Sequence, residues 1–320
     1  NRFSRSIVPF MSKKNNESGC LTDLELGSCS RIWDFSNPFF CGNLKSQGWA
    51  FSKHFFAGNW NIWFGQTKMP GNIERVFSSQ KLQLVDRSLL NKYFTLDRDA
   101  GFQLRHKLNL GETFLVRSKL AVSQGEGLNR KNMSSGNSYT GRIELLPFGN
   151  FTKKGDYFAS DLKREETPKL MLSVTYDYND NATRQGGQMG NDIAGSTRDL
   201  QSWQADAHFK YRGLSFFGEY ANRVTTDGGA VNDLGEVYHT GSALNLQGGY
   251  LFKNNWELAG RYTQVDFEEA IGLDNFTQYT IGFSKYVVGH NLKIQGDFGI
   301  TQEANNDDVI FIRLQTEFNF

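Results

Sequence analysis

The longest link between alternating stretches of this 320-residue chain lies at about positions 68–98, and it is rich in cations. Lys68, Arg75, Lys81, Arg87, Lys92 and Arg98 stand there against Glu74, Asp86 and Asp97. Such a stretch holds no nucleophile paired with a base. It makes a local positive potential, the property by which a narrow aqueous passage sorts ions. Further on, cations recur on one phase of alternating stretches: Arg105, Lys107, Arg117, Lys119, Arg142, Lys210, Arg212, Arg261, Lys293 and Arg313. Glu144, Asp206, Glu219, Glu257, Asp297 and Glu317 share that phase. This is a modest basic excess inside a chain with 35 Lys+Arg and 34 Asp+Glu. Arg105, Lys107, Arg117, Lys119 and Arg142 fall on consecutive segments. Side by side, they form one basic stripe. A low-dielectric wall around it would focus the field and concentrate anions.

Other chemistries find little footing. His54, His106, His208, His239 and His290 show no metal-ligand spacing. Cys20, Cys29 and Cys41 are odd in number and lack a CxxC pair, which argues against a zinc site. Tyr262-Thr263-Gln264 echoes a short phospholipase motif, but the His-x-Ser-Asn-Gly such an enzyme needs is absent, and His239-Thr240-Gly241-Ser242 does not replace it. No glycine-rich cradle of P-loop spacing occurs. The acidic tips 177–181 and 305–308 read as solvated loop rather than as calcium sites. A formal charge of +1 speaks against a nucleic-acid binder. The expectation is a non-enzyme with no cofactor and no metal.

The elements that position these charges alternate with a period of two. Phe320, Phe318, Thr316, Leu314, Ile312 and Ile310 share one face; Asn319, Glu317, Gln315 and Arg313 share the other. Such alternation marks a strand with one apolar and one polar face. Twelve strands are expected near 59–67, 99–109, 112–123, 138–148, 168–179, 201–212, 213–222, 240–252, 255–265, 276–287, 289–300 and 308–320. Many run ten to twelve residues, the length a tilted strand needs to cross a bilayer, roughly 9–11. No run of 18 apolar residues offers a transmembrane helix. Tight turns near 109–111, 212–213, 253–254 and 289 alternate with long polar links at 70–99, 125–137, 179–199, 223–239, 268–275 and 302–307. Short turns on one side and long loops on the other are the habit of outer-membrane barrels. Link 150–167 breaks the parity; a short helix there, or a fold into the lumen, would explain it. Trp60, Trp203, Tyr250, Trp256, Tyr262 and Tyr279 are expected at the membrane interfaces. Residues 1–55 carry the cysteines and no convincing alternation, and read as a plug, a tail or diverged strands. With no initiator Met and no apolar leader, the chain reads as a mature form or a fragment. A soluble β-sandwich is the rival fold, and would need a second sheet to cover twelve two-faced strands.

One ordered set of motifs adds a family. Ile62-Trp63-Phe64-Gly65-Gln66-Thr67-Lys68-Met69-Pro70 is a strand ending in a G-Q-x-K-x-P turn. Glu74, Ser78-Ser79, Val85-Asp86-Arg87-Ser88 and Asp97-Arg98-Asp99-Ala100-Gly101 follow it. Later come Gly155-Asp156-Tyr157-Phe158, Asp161-Leu162-Lys163-Arg164-Glu165 and Pro168-Lys169-Leu170. Over roughly residues 56–320 the chain resembles the phosphate-selective porin O and P family, in its Bacteroidetes-type form. The resemblance implies a sixteen-stranded barrel in a Gram-negative outer membrane, usually a homotrimer, that passes anions such as phosphate. Phe318 and Phe320 resemble the terminal signal read by the barrel-assembly machinery. The resulting expectation is an all-β transmembrane antiparallel up-and-down barrel over 56–320. Segment 68–98 would fold inward as the constriction, and small hydrophilic solutes would diffuse passively, anions by preference. A non-conducting barrel, an adhesin or an accessory subunit of an export machine, is the alternative.

Overall fold

A computed structural model describes residues 4–7, 52–127 and 136–319. Fourteen strands follow one another in chain order. They are β1 (Ser4–Ile7), β2 (Ser52–Ala57), β3 (Trp60–Lys68), β4 (Arg98–Leu110), β5 (Phe114–Ser123), β6 (Ser138–Leu146) and β7 (Lys169–Ala182). Then come β8 (Arg198–Tyr211), β9 (Leu214–Thr225), β10 (Gly241–Leu251), β11 (Trp256–Phe267), β12 (Phe276–Tyr286), β13 (Leu292–Glu303) and β14 (Asn306–Asn319). Each strand from β2 to β14 pairs with its sequence neighbours, and β1 pairs with β14. The twelve strands read from alternation are β3 to β14. β1 and β2 add to them at the two edges. The sixteen strands that the resemblance implies compare with fourteen among the described residues.

The register puts the polar phase of β3 to β14 inside. Arg142 is 2% exposed, Lys210 1% and Lys293 0%, whereas the apolar phase is bare: Ile312 is 75% exposed and Ile310 64%. A water-soluble protein has the opposite arrangement. Here the outer face has only hydrocarbon to match it, and the strands satisfy one another's backbone groups, as a bilayer demands. No helix of the described residues is long and apolar enough to cross a membrane. The crossing elements are strands. Exposed Trp60, Phe148, Tyr250, Phe252 and Trp256 band the end with the tight turns. Tyr139, Trp203, Tyr220 and Tyr279 band the loop end, where Tyr262 packs on Tyr279 with ring centroids 5.3 Å apart.

The tight turns have local causes. Between β8 and β9, Arg212 and Gly213 both take positive φ, 48° and 92°, the geometry that suits a two-residue hairpin to the strand twist. One expected link is corrected. The 302–307 connection is a tight turn at residues 304–305, because Glu303 and Asn306 still pair and extend both strands. Link 147–168 is long, as expected, and carries a 3₁₀ turn at Thr152–Tyr157.

Candidate pore constriction

Segment 69–97 leaves the end of β3 and folds into the barrel. It is built from α1 (Ile73–Val76), a 3₁₀ turn at Ser79–Lys81 and α2 (Leu89–Phe94), whose N-cap Ser88 accepts a bond from the Asn91 amide. The reason it turns inward is apolar. Ile73, Phe77 and Leu82 join Leu115, Leu146, Phe151, Ala159, Met171 and Phe217 in one cluster. Leu90 and Phe94 join Ala221, Ala243, Val265 and Phe267 in a second. Met69 and Leu96 cover Ala121. The wall makes room with glycine. A Cβ on Gly282 would lie 2.5 Å from the Leu84 side chain, and one on Gly249 2.7 Å from Gln83.

Polar groups fix the seat. Glu219 accepts the Glu74 amide at 2.6 Å and the Asn72 side chain at 3.2 Å. Arg142 donates to the Gly71 carbonyl at 2.9 Å, Gln204 to Phe94 at 2.8 Å and Arg223 to Tyr93 at 2.8 Å. On the far wall, Arg261 donates to the Asp86 carbonyl at 2.7 Å and Ser284 to Gln83 at 3.0 Å. Asp297 accepts the Val85 amide at 2.9 Å, and Arg313 pairs with Asp86 at 2.8 Å. Partners from β6 through β14 thus reach one segment, so the sheet curls around it.

The six expected constriction cations have separate fates. Lys68 donates to the carbonyls of Arg75, Val76 and Phe77 at 2.8, 3.2 and 2.8 Å, closing the C-terminus of α1 with a cation. Arg75 pairs with Asp97. Arg87 donates to the carbonyls of Glu74 and Phe77 at 3.3 and 2.9 Å; burial, then the neighbouring Arg75, lowers its pKa. Lys81 stands 4.0 Å over the Phe158 ring. Lys92 lies 4.6 Å from the centre of the Tyr93 ring and, like Arg98, is exposed.

The basic side chains of β4, β5 and β6 are register neighbours. Arg105 faces Lys119, Lys107 faces Arg117, and Lys119 faces Arg142. Three carboxylates intervene. Glu144 takes Lys119, Arg117 at 2.7 Å and Arg142 at 2.8 Å. Arg117 also pairs with Asp156 at 2.6 Å, and Arg142 binds both oxygens of Asp206 at 2.6 and 2.9 Å. Arg105 lies 3.3 Å over the Trp63 ring and donates to Gln103 at 2.6 Å. Lys107 is exposed, with no carboxylate partner among the described residues. Asp156 escaped the sequence reading because it comes from link 147–168, outside the strands whose phase was counted.

That link is a second filling, entering from the turn end. Phe151 stacks on His208 at 5.4 Å, and Lys210 donates to the carbonyls of Gly155 and Ser160 at 2.8 and 2.7 Å. Asp161 accepts the Gly213 amide at 2.8 Å; its burial raises the carboxyl pKa above the ordinary range. The two segments meet where the Ala159 amide donates to the Lys81 carbonyl at 3.1 Å. Many inward side chains from β5 to β13 are covered by them. On the turn-side half of β4, Lys107 and Asn109 stay exposed, and Arg313 and Gln315 of β14 are half-buried. Beside Arg313 a cavity of about 380 Å³ is lined by Asp86, Arg87, Lys92 and Gln278 among others. Phe318 points outward and is 38% exposed; Phe320 and most of residues 1–55 lie outside the described residues.

A polar-lined, segment-filled, apolar-jacketed antiparallel meander of this kind has the architecture of a transmembrane β-barrel. No protein-family model matches the sequence, and no curated protein matches it. Solved structures do match the fold. OprB of Pseudomonas putida aligns with a TM-score of 0.54 at 10% identity, over 84% of this chain and 71% of that one. An anion-selective porin from Comamonas acidovorans aligns at 0.52 and 8% identity, over 87% and 79%. A further porin aligns at 0.50 and 15% identity, over 84% and 81%.

Proposed function

We propose that this chain is an outer-membrane porin, a passive channel for small hydrophilic solutes with a mild preference for anions. The observation that carries the reading is segment 69–97, seated across the lumen while Lys107 and Asn109, on the turn-side half of β4, stay exposed. Solute gradients drive the flow, and no cofactor takes part. Lys68, Arg75 and Arg87 shape the constriction. Lys92, Arg98 and Lys107 lack carboxylate partners among the described residues and supply the field that anions meet. Lys81, Arg105, Arg117, Lys119 and Arg142 line or brace the passage around them. Passage of phosphate, kinship with the phosphate-selective porin O and P family, a homotrimer, and recognition of Phe318 and Phe320 by the assembly machinery all follow from the resemblance and belong to this proposal.

A second reading has its own support. The apolar cluster around Phe77 and the meeting of the two fillings at Ala159 suit a barrel that does not conduct, with an adhesive or export role. Single-channel recording in a planar bilayer separates the two. Discrete steps, with a reversal potential toward the anion side under a KCl gradient, are expected. Silence from folded, heat-modifiable protein would favour the filled barrel.

A further inference from the structure

The exposed charge of the turn end is mostly cationic. At the turn end, link 147–168 exposes Lys153, Lys154 and Lys163 and half-exposes Arg164. Adjacent strand ends and turns add Lys169, Arg212, Lys253 and Lys285. Among the described residues, only Glu112 and Glu166 are exposed acids in the turns there, since Asp156, Asp161, Glu165 and Glu257 are buried within the barrel. At the loop end, links 226–240 and 268–275 carry Asp227, Asp233, Glu236, Glu268, Glu269 and Asp274 and no lysine or arginine.

None of the eight turn-end cations has a carboxylate partner among the described residues. Three of them are held by backbone carbonyls. Lys169 donates to Phe148 at 2.8 Å, Lys285 to Asn254 at 2.7 Å, and Arg164 to Leu251 and Phe252 at 2.8 and 2.6 Å. A carbonyl orients a cation without neutralising it, so the rim keeps its charge and its mutual repulsion. The rim also has a definite depth. It adjoins the exposed band of Phe148, Tyr250, Phe252 and Trp256, and the Lys285 ammonium lies 5.3 Å from the centre of the Trp256 ring. Aromatic rings and long basic side chains meet in this way where hydrocarbon gives over to headgroups.

We infer that this rim binds anionic phospholipid headgroups of the leaflet at the turn end. Lys285 points to the outer face of β12, not into the lumen, so the anion it meets is a headgroup rather than a passing solute. The inference rests on the barrel crossing a bilayer and not on conduction; a silent channel leaves it standing.

The test is tryptophan quenching of the detergent-purified barrel by brominated phosphatidylglycerol and brominated phosphatidylcholine. Trp60 and Trp256 sit at the turn end and report on lipid there. A single basic side chain near an anionic surface strengthens binding about fivefold. Phosphatidylglycerol is therefore expected to bind at least that much more tightly than phosphatidylcholine, and the ratio should fall as NaCl rises. The variant Lys169→Gln/Arg212→Gln/Lys253→Gln/Lys285→Gln should bring the two lipids close to parity while keeping a heat-modifiable barrel. Equal quenching by the two lipids in the unaltered protein overturns the inference. So does displacement of phosphatidylglycerol by free inorganic phosphate at equal concentration, which would mark a solute site. Should the variant fail to fold, the lipid ratio and its salt dependence in the unaltered protein decide alone.

Discussion

Replacing Phe77 by alanine should loosen the constriction without unseating the wall. The Phe77 ring is fully buried, edge-on to Phe217 at 5.4 Å and 5.3 Å from His208. It sits between segment and wall, so its loss falls on docking rather than on strand pairing. The backbone carbonyl that Lys68 and Arg87 use is untouched. Truncating a buried phenylalanine costs about 3–5 kcal/mol, in which the cavity left behind is included. Even the lower figure raises the undocked population roughly 150-fold. In planar bilayers the variant should show larger and noisier conductance steps. In detergent, cleavage within 69–97 by added protease should quicken, while the strand signal in circular dichroism melts nearly as before. Ile310→Ala, on the bare outer face, is the control and should change neither readout. Phe77→Ala with unaltered conductance and unaltered cleavage would refute the argument that this ring seats the segment.

Three further outcomes are expected. Arg142→Met leaves Asp206 buried without its bidentate partner and should lower stability to urea unfolding in micelles by about 3–5 kcal/mol; adding Asp206→Leu should restore much of it. Lys92→Glu with Arg98→Glu and Lys107→Glu should move the reversal potential under a KCl gradient toward the cation side, whereas an unmoved potential would remove these three from the selectivity field. Burial, then Arg223 and Lys92, lowers the His239 pKa from 6.5 to about 4. A lowered histidine contributes stability that is whole above pH 6.5 and is lost as pH falls toward 4. Amide exchange in links 183–197 and 226–240 should therefore rise across that window, and His239→Phe should flatten the rise.

The wall was legible because each strand obeys one rule. An interior filled with polar side chains and an exterior facing hydrocarbon force alternation, so Leu292 to Ile300 or Trp203 to Tyr211 can be read without any partner. The edges were not legible. β1 holds four residues and β2 six, too short for a periodic pattern to stand out. The turn at 304–305 looked long because Asp307 and Asp308 are polar, although pairing continues to Asn306. In the sequence, segment 68–98 stands out as an inward candidate by its length alone. The force that turns it inward is the apolar set Ile73, Phe77, Leu82, Leu90 and Phe94, hidden among the cations in sequence. The stripe residues are register neighbours on β4, β5 and β6. Their neutralisation depends on Glu144 lying opposite Arg117 and on Asp156 arriving from a link, and cross-strand register is not written in any one strand.

The way β1 joins β14 bears on the order of assembly. Of the seams in the fourteen-stranded sheet, all but one join strands adjacent in sequence. The exception sets Ser4 opposite Asn319 and runs for four residue pairs. Closing a loop grows dearer by only about 0.6 kcal/mol with each doubling of its length, yet this joint is many doublings longer than any hairpin here. Hairpins can therefore zip locally and early, whereas the β1–β14 joint forms across the longest sequence separation in the sheet and has few bonds to hold it. It is the line along which heat or pulling force would first strip a strand from the sheet, leaving the hairpin-linked wall of β2 to β14 intact.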